Sequence, residues 1–214
     1  MRPKTLTVVI GAGASHDCAA SGAEVQNDLR PPLTSELFGS RPSFNAILKN
    51  YPRVQALSDE LRTKLGRGET VESLLRSFSE ETSLVLKKQY WEIPYYLQEL
   101  LGEVSKNYVQ SGTTKFSTLF RSIMKSDLEK VLFLTLNYDR FLEKAISDVS
   151  GHKFLALSDY FPPHDKWALL KIHGSVDWGR EILNFSTKWR NATAVLDVLS
   201  ELTLSDDIAY LGGH

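Results

Sequence analysis

Three short strings of small and polar residues stand out as able to do chemistry: Gly11-Ala12-Gly13-Ala14-Ser15, Asn137-Tyr138-Asp139 and His173-Gly174-Ser175. Glycines at 11 and 13 let a backbone turn tightly and approach a pyrophosphate, whose charge is met by the N–H groups that open a helix. Ser15 adds a hydroxyl donor. Each string also has a plainer use. Gly11–Ser15 can be a strand-to-helix turn with no ligand. Asn137 can cap a helix beginning near Tyr138, with Phe141, Leu142, Ala145 and Ile146 on its inner face. Asp139 in that first turn favours the helix dipole, and a single histidine among five is commonly structural.

Position makes the combination stronger than its members. Each string follows an apolar run at once: Leu6–Ile10, Val131–Leu136 and Ala168–Ile172. The first two are almost continuously apolar rather than alternating, the pattern of a strand covered on both faces, and so point to a parallel sheet flanked by helices. Ligands of an open parallel sheet bind beyond the carboxyl ends of its strands. If the three strands are neighbours, the three strings meet there, and His173, ending a buried strand before a glycine, can face a cavity.

The intervening chain reads as mostly helical. Ile93, Tyr96, Leu97, Leu100, Leu101, Val104 and Tyr108 form one helical stripe. Phe116, Leu119, Phe120, Ile123 and Met124 repeat it, with Thr113 or Thr114 as cap. A further helix is expected over about 71–88, with Leu74, Leu75, Phe78, Val85 and Leu86 inward, and another near 187–203. Pro31, Pro32 and Pro42 mark 30–43 as loop around one short helix. The expected fold class is α/β: a Rossmann-like parallel sheet flanked by helices, with a large helical insertion, about 40–127, between the first and second strands. A single domain over 1–214 is expected, as the N-terminal part of a longer chain, because the ending Ile208–His214 is turn-like and three strands make a thin sheet.

Composition narrows the classes. The 214 residues are 42% apolar and 24% charged, ordinary for a globular chain and unlike a collagenous, disordered or coiled-coil one. A net charge of −1 gives no broad footprint for nucleic acid or an anionic membrane. The lone Cys18 supports neither a disulfide nor a multi-cysteine zinc site. The N-terminal apolar run is too short for a signal peptide or membrane span, so the cytoplasm is the default location. No ligand spacing for a metal, no GxSxG elbow and no GxxxxGK[ST] loop occurs. The dinucleotide fingerprint of hydride-transfer enzymes fails, because His16 replaces its third glycine and no second strand ends in an acid about twenty positions on.

The three ordered strings, extended as Gly11–Ser15, Thr135–Asp139 and Lys171–Ser175, resemble the signatures of the sirtuin, or silent-information-regulator, superfamily. The strings RPPLTSELF (Arg30–Phe38) and HGSVDW (His173–Trp178) are similar to those of bacterial sirtuin-like domains in antiviral defence proteins. The resemblance covers residues 6 to about 178. It implies a domain that hydrolyses NAD+ to nicotinamide and ADP-ribose, an NADase that depletes NAD+ in antiphage defence (abortive infection). Gly11, Ala12, Gly13 and Ser15 would hold the phosphates, with Gly174 and Ser175 also binding the nucleotide. Asn137 and Asp139 would position the nicotinamide ribose, its amide and the attacking water. His173 would be the general base or a ribose-hydroxyl partner.

Deacetylating sirtuins carry a GIPDFR-type string after their glycines, a glutamine before the asparagine and a four-cysteine zinc module. This chain has HDCAASG, Leu136 and one cysteine instead, which disfavours deacylation and leaves NAD+ cleavage intact. Implied partners are NAD+ as substrate, with no metal, a homo-oligomer, and a fused C-terminal domain or separate defence partner that activates the enzyme. Membrane and direct nucleic-acid binding are not expected. The alternative is a non-catalytic sensor of NAD+ or an ADP-ribose-type nucleotide that regulates a fused or partner effector.

Overall fold

A computed structural model of the protein describes residues 4–18, 28, 30–80, 83, 90, 92–108, 114–183 and 203–210. Strands β1 (Thr5–Ile10), β2 (Lys130–Thr135) and β3 (Trp167–Lys171) form a parallel sheet in the order β1-β2-β3, flanked by helices. The pairing aligns Ile10 with Thr135 and Thr135 with Lys171. Beyond these ends, Leu136 N–H still donates to the Ile10 carbonyl (3.0 Å) and Ile172 N–H to that of Thr135 (3.1 Å). All three strands therefore finish at one level. Each apolar run lies within one residue of its expected place, and the α/β class is the one the sequence indicated.

Burial among the described residues differs between the two faces of the sheet. On one face Val131, Phe133, Trp167 and Leu169 are buried, together with the polar Thr135 and Lys171. The alternate positions are open: Val9 is 66% exposed, Ile172 51% and Leu170 38%. On the central strand the alternate residues Leu132 and Leu134 are partly buried. The ring of Phe120 sits 6.1 Å from Phe133 and edge-on to Trp167 at 5.9 Å, and His152 and Phe154 pack on the same indole.

Between β1 and β2 the described chain is helical after a short α1 (Ala12–His16) and a 3-10 turn at Thr34–Glu36. Helices α2 (Pro42–Leu48) and α3 (Pro52–Gly66) each begin with proline, whose fixed φ suits the first turn and whose missing N–H costs nothing there. Next come α4 (Val71–Ser79), α5 (Glu92–Tyr108) and α6 (Lys115–Lys125). Thr114 caps α6 as expected, accepting from Ser117 N–H at 3.1 Å. The α5 stripe is buried through Ile93, Tyr96, Leu97, Leu100 and Val104. The helix expected over 71–88 is described as far as Ser79; most of its second half lies outside the described residues.

After β2 comes α7 (Phe141–Ser150), closed by Gly151 in the left-handed region (φ 74°). A hairpin unforeseen in the sequence follows β3: β4 (Trp178–Leu183) pairs antiparallel with β5 (Thr203–Tyr210). Of the ending read as turn-like, Ile208–Tyr210 belong to β5, and the rest lies outside the described residues. The helix expected near 187–203 lies outside the described residues, except that Thr203 opens β5. Among the described residues no helix is long and apolar enough to cross a membrane.

Unequal burial predicts unequal responses across the sheet. Phe133→Ala, emptying a fully buried site, is expected to cost about 3–5 kcal/mol in urea unfolding. Val9→Ala on the open face is expected to stay within about 0.5 kcal/mol.

Candidate functional site

The common level of the strand ends brings the three strings to one place. Gly11, Ala12, Asn137, Tyr138, Asp139 and His173 all border a single cavity of about 310 Å³. Its far wall comes from the helical region, through Thr34, Leu37, Thr70, Val71, Glu72 and Leu101. A larger neighbouring cavity of about 510 Å³ shares Val71, Leu101, Tyr138 and His173 with it and takes Gly174 and Ser175 into its own wall. His173 therefore borders both spaces.

Asn137 is not a helix cap. The helix starts three residues later than expected, at Phe141, whose N–H is met by Asp139 Oδ1 at 3.2 Å. The Asn137 side chain turns toward β1 instead. Its Nδ2 donates to the Gly11 carbonyl (3.0 Å) and to Ser15 Oγ (2.8 Å), while its backbone N–H donates to Thr135 Oγ1 (3.1 Å). Only the nitrogen end of the amide can donate to a carbonyl, so the network fixes its orientation.

Ser15 is likewise redirected. It is 2% exposed and absent from the cavity wall; its hydroxyl accepts from Asn137 and bonds the Asp139 carboxylate. The expectation that it meets a phosphate gives way to a role in holding these two side chains. Gly13 is also outside the wall. Gly11 has φ −121°, open to any residue, and a Cβ there would meet nothing within 4 Å, so neither its backbone nor its packing requires glycine; it borders the cavity. With five residues, α1 offers little dipole, and its first N–H groups, which a helix leaves without intrahelical partners, are what it can present.

The 173–176 loop is fastened to the 137–139 loop. Val176 N–H donates to the Tyr138 carbonyl (3.0 Å), Ser175 Oγ to the same oxygen (3.4 Å), and Gln98 Nε2 on α5 to the Val176 carbonyl (2.9 Å). Gly174 sits at φ 84°, where a side chain is strained. Beneath both loops, Lys171 Nζ, wholly buried, bonds Glu143 Oε1 at 2.7 Å and the Asp139 carbonyl.

The RPPLTSELF string acquires a physical reason. Arg30 bonds the His16 carbonyl (2.9 Å) and Asp17 (2.6 Å), and Arg41 bonds Glu36 (2.8 Å). Burial works against charge on Glu36, but Leu33 N–H, Arg41 and His16 outweigh it and lower its pKa. Tyr96 OH donates to the Leu37 carbonyl at 2.7 Å. The string thus packs against the end of α1 and presents Pro32, Thr34 and Leu37 to the cavity.

Glu72, which no sequence signal singled out, is the charged side chain that the helical wall brings to the cavity. It accepts from Tyr138 OH at 3.0 Å and lies 3.9 Å from His173 Nε2. Among the described residues no three His, Cys, Asp or Glu side chains gather as a metal group. No protein-family model matches this chain, and no curated relative matches it either.

Asp139 is the perturbed acid of the site. Burial pushes its pKa up and Glu143 adds to this, against the opposing Lys171 charge and the bonds from Ser15 and Phe141 N–H. An acid raised on folding binds its proton more tightly in the native state, so stability falls as pH climbs from the unfolded carboxylate value, about 4, toward the folded one. Asp139→Asn removes that loss. It is expected to be more stable than the wild type at pH 7, with the two converging as pH drops below about 4 in urea titrations.

Proposed function

We propose that the chain hydrolyses NAD+ at the nicotinamide–ribose bond, giving nicotinamide, ADP-ribose and a proton. The observation that carries this reading is the single cavity bordered at once by the Gly11-Ala12 backbone, Asn137, Asp139 and His173. Nothing in the sequence between these positions required them to converge. The resemblance to sirtuin-like defence domains supplies the substrate, and NAD+ depletion during phage infection is the corresponding role. Helices α2–α6 are read as the insertion expected over about 40–127, with α4 and α5 contributing to the far wall.

The chemistry suits so sparse a set of groups. The glycosidic electrons pass to the pyridinium nitrogen, so nicotinamide leaves neutral and needs no acid. The ribose carbon left behind is oxocarbenium-like and bonds a water oxygen; the water's proton must be accepted. Asn137 presents its amide oxygen, because both of its N–H bonds are engaged, and that oxygen can receive a ribose hydroxyl or the water. Asp139 stabilises developing positive charge in its ionised form. His173 accepts the proton, a contribution of about 10²–10⁴-fold. Phosphates would meet the backbone at Gly11 and Ala12.

His173→Ala and Asn137→Ala are each expected to fold and to release nicotinamide at least about a hundredfold more slowly than wild type. Chromatography of NAD+ incubations, with the oligomer assembled, measures this. Near-normal release from both variants overturns the reading. Binding of NAD+ without turnover in the activated wild type would favour the sensor instead.

A further inference from the structure

The proton acceptor in such a site needs more than proximity. A neutral imidazole carries its proton on either ring nitrogen, and one tautomer turns a lone pair to the substrate while the other does not. A carboxylate opposite one nitrogen selects the tautomer and holds the ring, as a buried acid does for the histidine of a catalytic triad. What surrounds His173 therefore decides whether it can act.

From α4 comes Glu72. Its Oε1 lies 3.9 Å from His173 Nε2, and the same oxygen accepts the Tyr138 hydroxyl at 3.0 Å. From the β2–α7 loop come Tyr138, its ring 6.0 Å from the imidazole and tilted 33°, and Asp139 across the smaller cavity. From α5 come Tyr95 and Gln98, along the larger cavity. The nearest buried cation, Lys171, is paired with Glu143.

Glu72 is itself positioned. Thr70 and Ser73 cap the start of α4 reciprocally, each backbone N–H donating to the other's hydroxyl at 3.0 Å, which sets Glu72 in the first turn beside the cavity. Burial, then the Glu72 charge, holds the Tyr138 phenol above its ordinary pKa, so it remains a donor to the carboxylate. The tyrosine is anchored in turn, its carbonyl receiving Val176 N–H and Ser175 Oγ. One rigid frame thus carries both the carboxylate's partner and the loop that bears the histidine.

We propose that Glu72 is a positioning residue for His173: braced by the Tyr138 hydroxyl, its carboxylate draws the imidazole proton to Nε2 and leaves the Nδ1 lone pair to take a proton from water. This deepens the NAD+-cleavage reading and rests on it for the source of that proton. The Glu72–His173 pairing stands independently and is tested without substrate. The separation of 3.9 Å is longer than a hydrogen bond, as is common for catalytic pairs that tighten only when a ligand is present.

The test uses the full chain as wild type, Glu72→Ala and Glu72→Gln. Long-range ¹H–¹⁵N spectra of the histidine rings at neutral pH, with His173 assigned by substitution, read the tautomer directly. Wild type is expected to give the Nε2–H form, Glu72→Ala a mixture, and Glu72→Gln, which keeps an acceptor oxygen, mainly the wild-type form. In nicotinamide release, Glu72→Ala is expected to lose about tenfold or more in kcat with KM changed less than about threefold, and Glu72→Gln to recover part of it. An unchanged tautomer in Glu72→Ala, or a loss confined to KM, overturns the proposal. The expected tautomer change in Glu72→Ala, alongside a wild type that never releases nicotinamide, would sink the NAD+ reading while leaving the pairing intact.

Discussion

The site rests on a buried charge. Lys171 closes β3 with its side chain at 0% exposure, and an ammonium taken out of water costs several kcal/mol unless close partners replace the lost hydration. Glu143 on α7 and the Asp139 carbonyl supply them. Tyr160 adds a hydrogen bond to Glu143 Oε1 at 3.3 Å. That requirement is directional. The first turn of α7 and the loop before it must come down onto the end of β3, so the segment bearing Asn137, Tyr138 and Asp139 cannot drift from the one bearing His173. Such a pair adds little net stability compared with an apolar substitute, but breaking one half is costly, and so it specifies position.

Around this pair the polar groups are arranged in tiers. Ser15 reaches from α1 to Asn137 and Asp139; Asn137 reaches back to the Gly11 carbonyl; Val176 and Ser175 fasten the last loop to Tyr138. Strand register sets the coarse alignment and these bonds the fine one. Local propensity achieves neither, since the bonds join residues more than thirty positions apart.

What was legible in the sequence follows from the range of each cause. Apolar runs followed at once by Gly11, Asn137 and His173 are local patterns, and parallel pairing brings their ends to one level. The α5 and α6 stripes and the Thr114 cap are local too. Glu72 was not legible: it is 66 positions from Tyr138, and the helical stripe around it is fully explained by packing of residues such as Leu74. The burial of Lys171 was not legible either, because its partner Glu143 lies on another element. The contacts of Asn137 and Ser15 with each other, Gly11 and Asp139 were not legible, as side-chain direction depends on neighbours that no spacing rule identifies. The β4–β5 hairpin escaped because its strands, Trp178–Leu183 and Thr203–Tyr210, interrupt apolar residues with Gly179, Arg180, Asp206 and Asp207.

The hydrogen-bond inventory at Asn137 carries the argument one step further. An amide offers two donors and one acceptor oxygen, and both donors are engaged by Gly11 and Ser15. Whatever enters the cavity must therefore present a donor to this side chain: a hydroxyl or water, not a phosphate or carboxylate oxygen. Asp139, once ionised, and Glu72 make the same demand. These acceptors border the cavity from both the strand-end side and the helical side, and the Gly11-Ala12 backbone, bonded to Asn137, lies among them. A ligand that suits this border presents hydroxyl or water donors to Asn137, Asp139 and Glu72 and keeps anionic groups away from them.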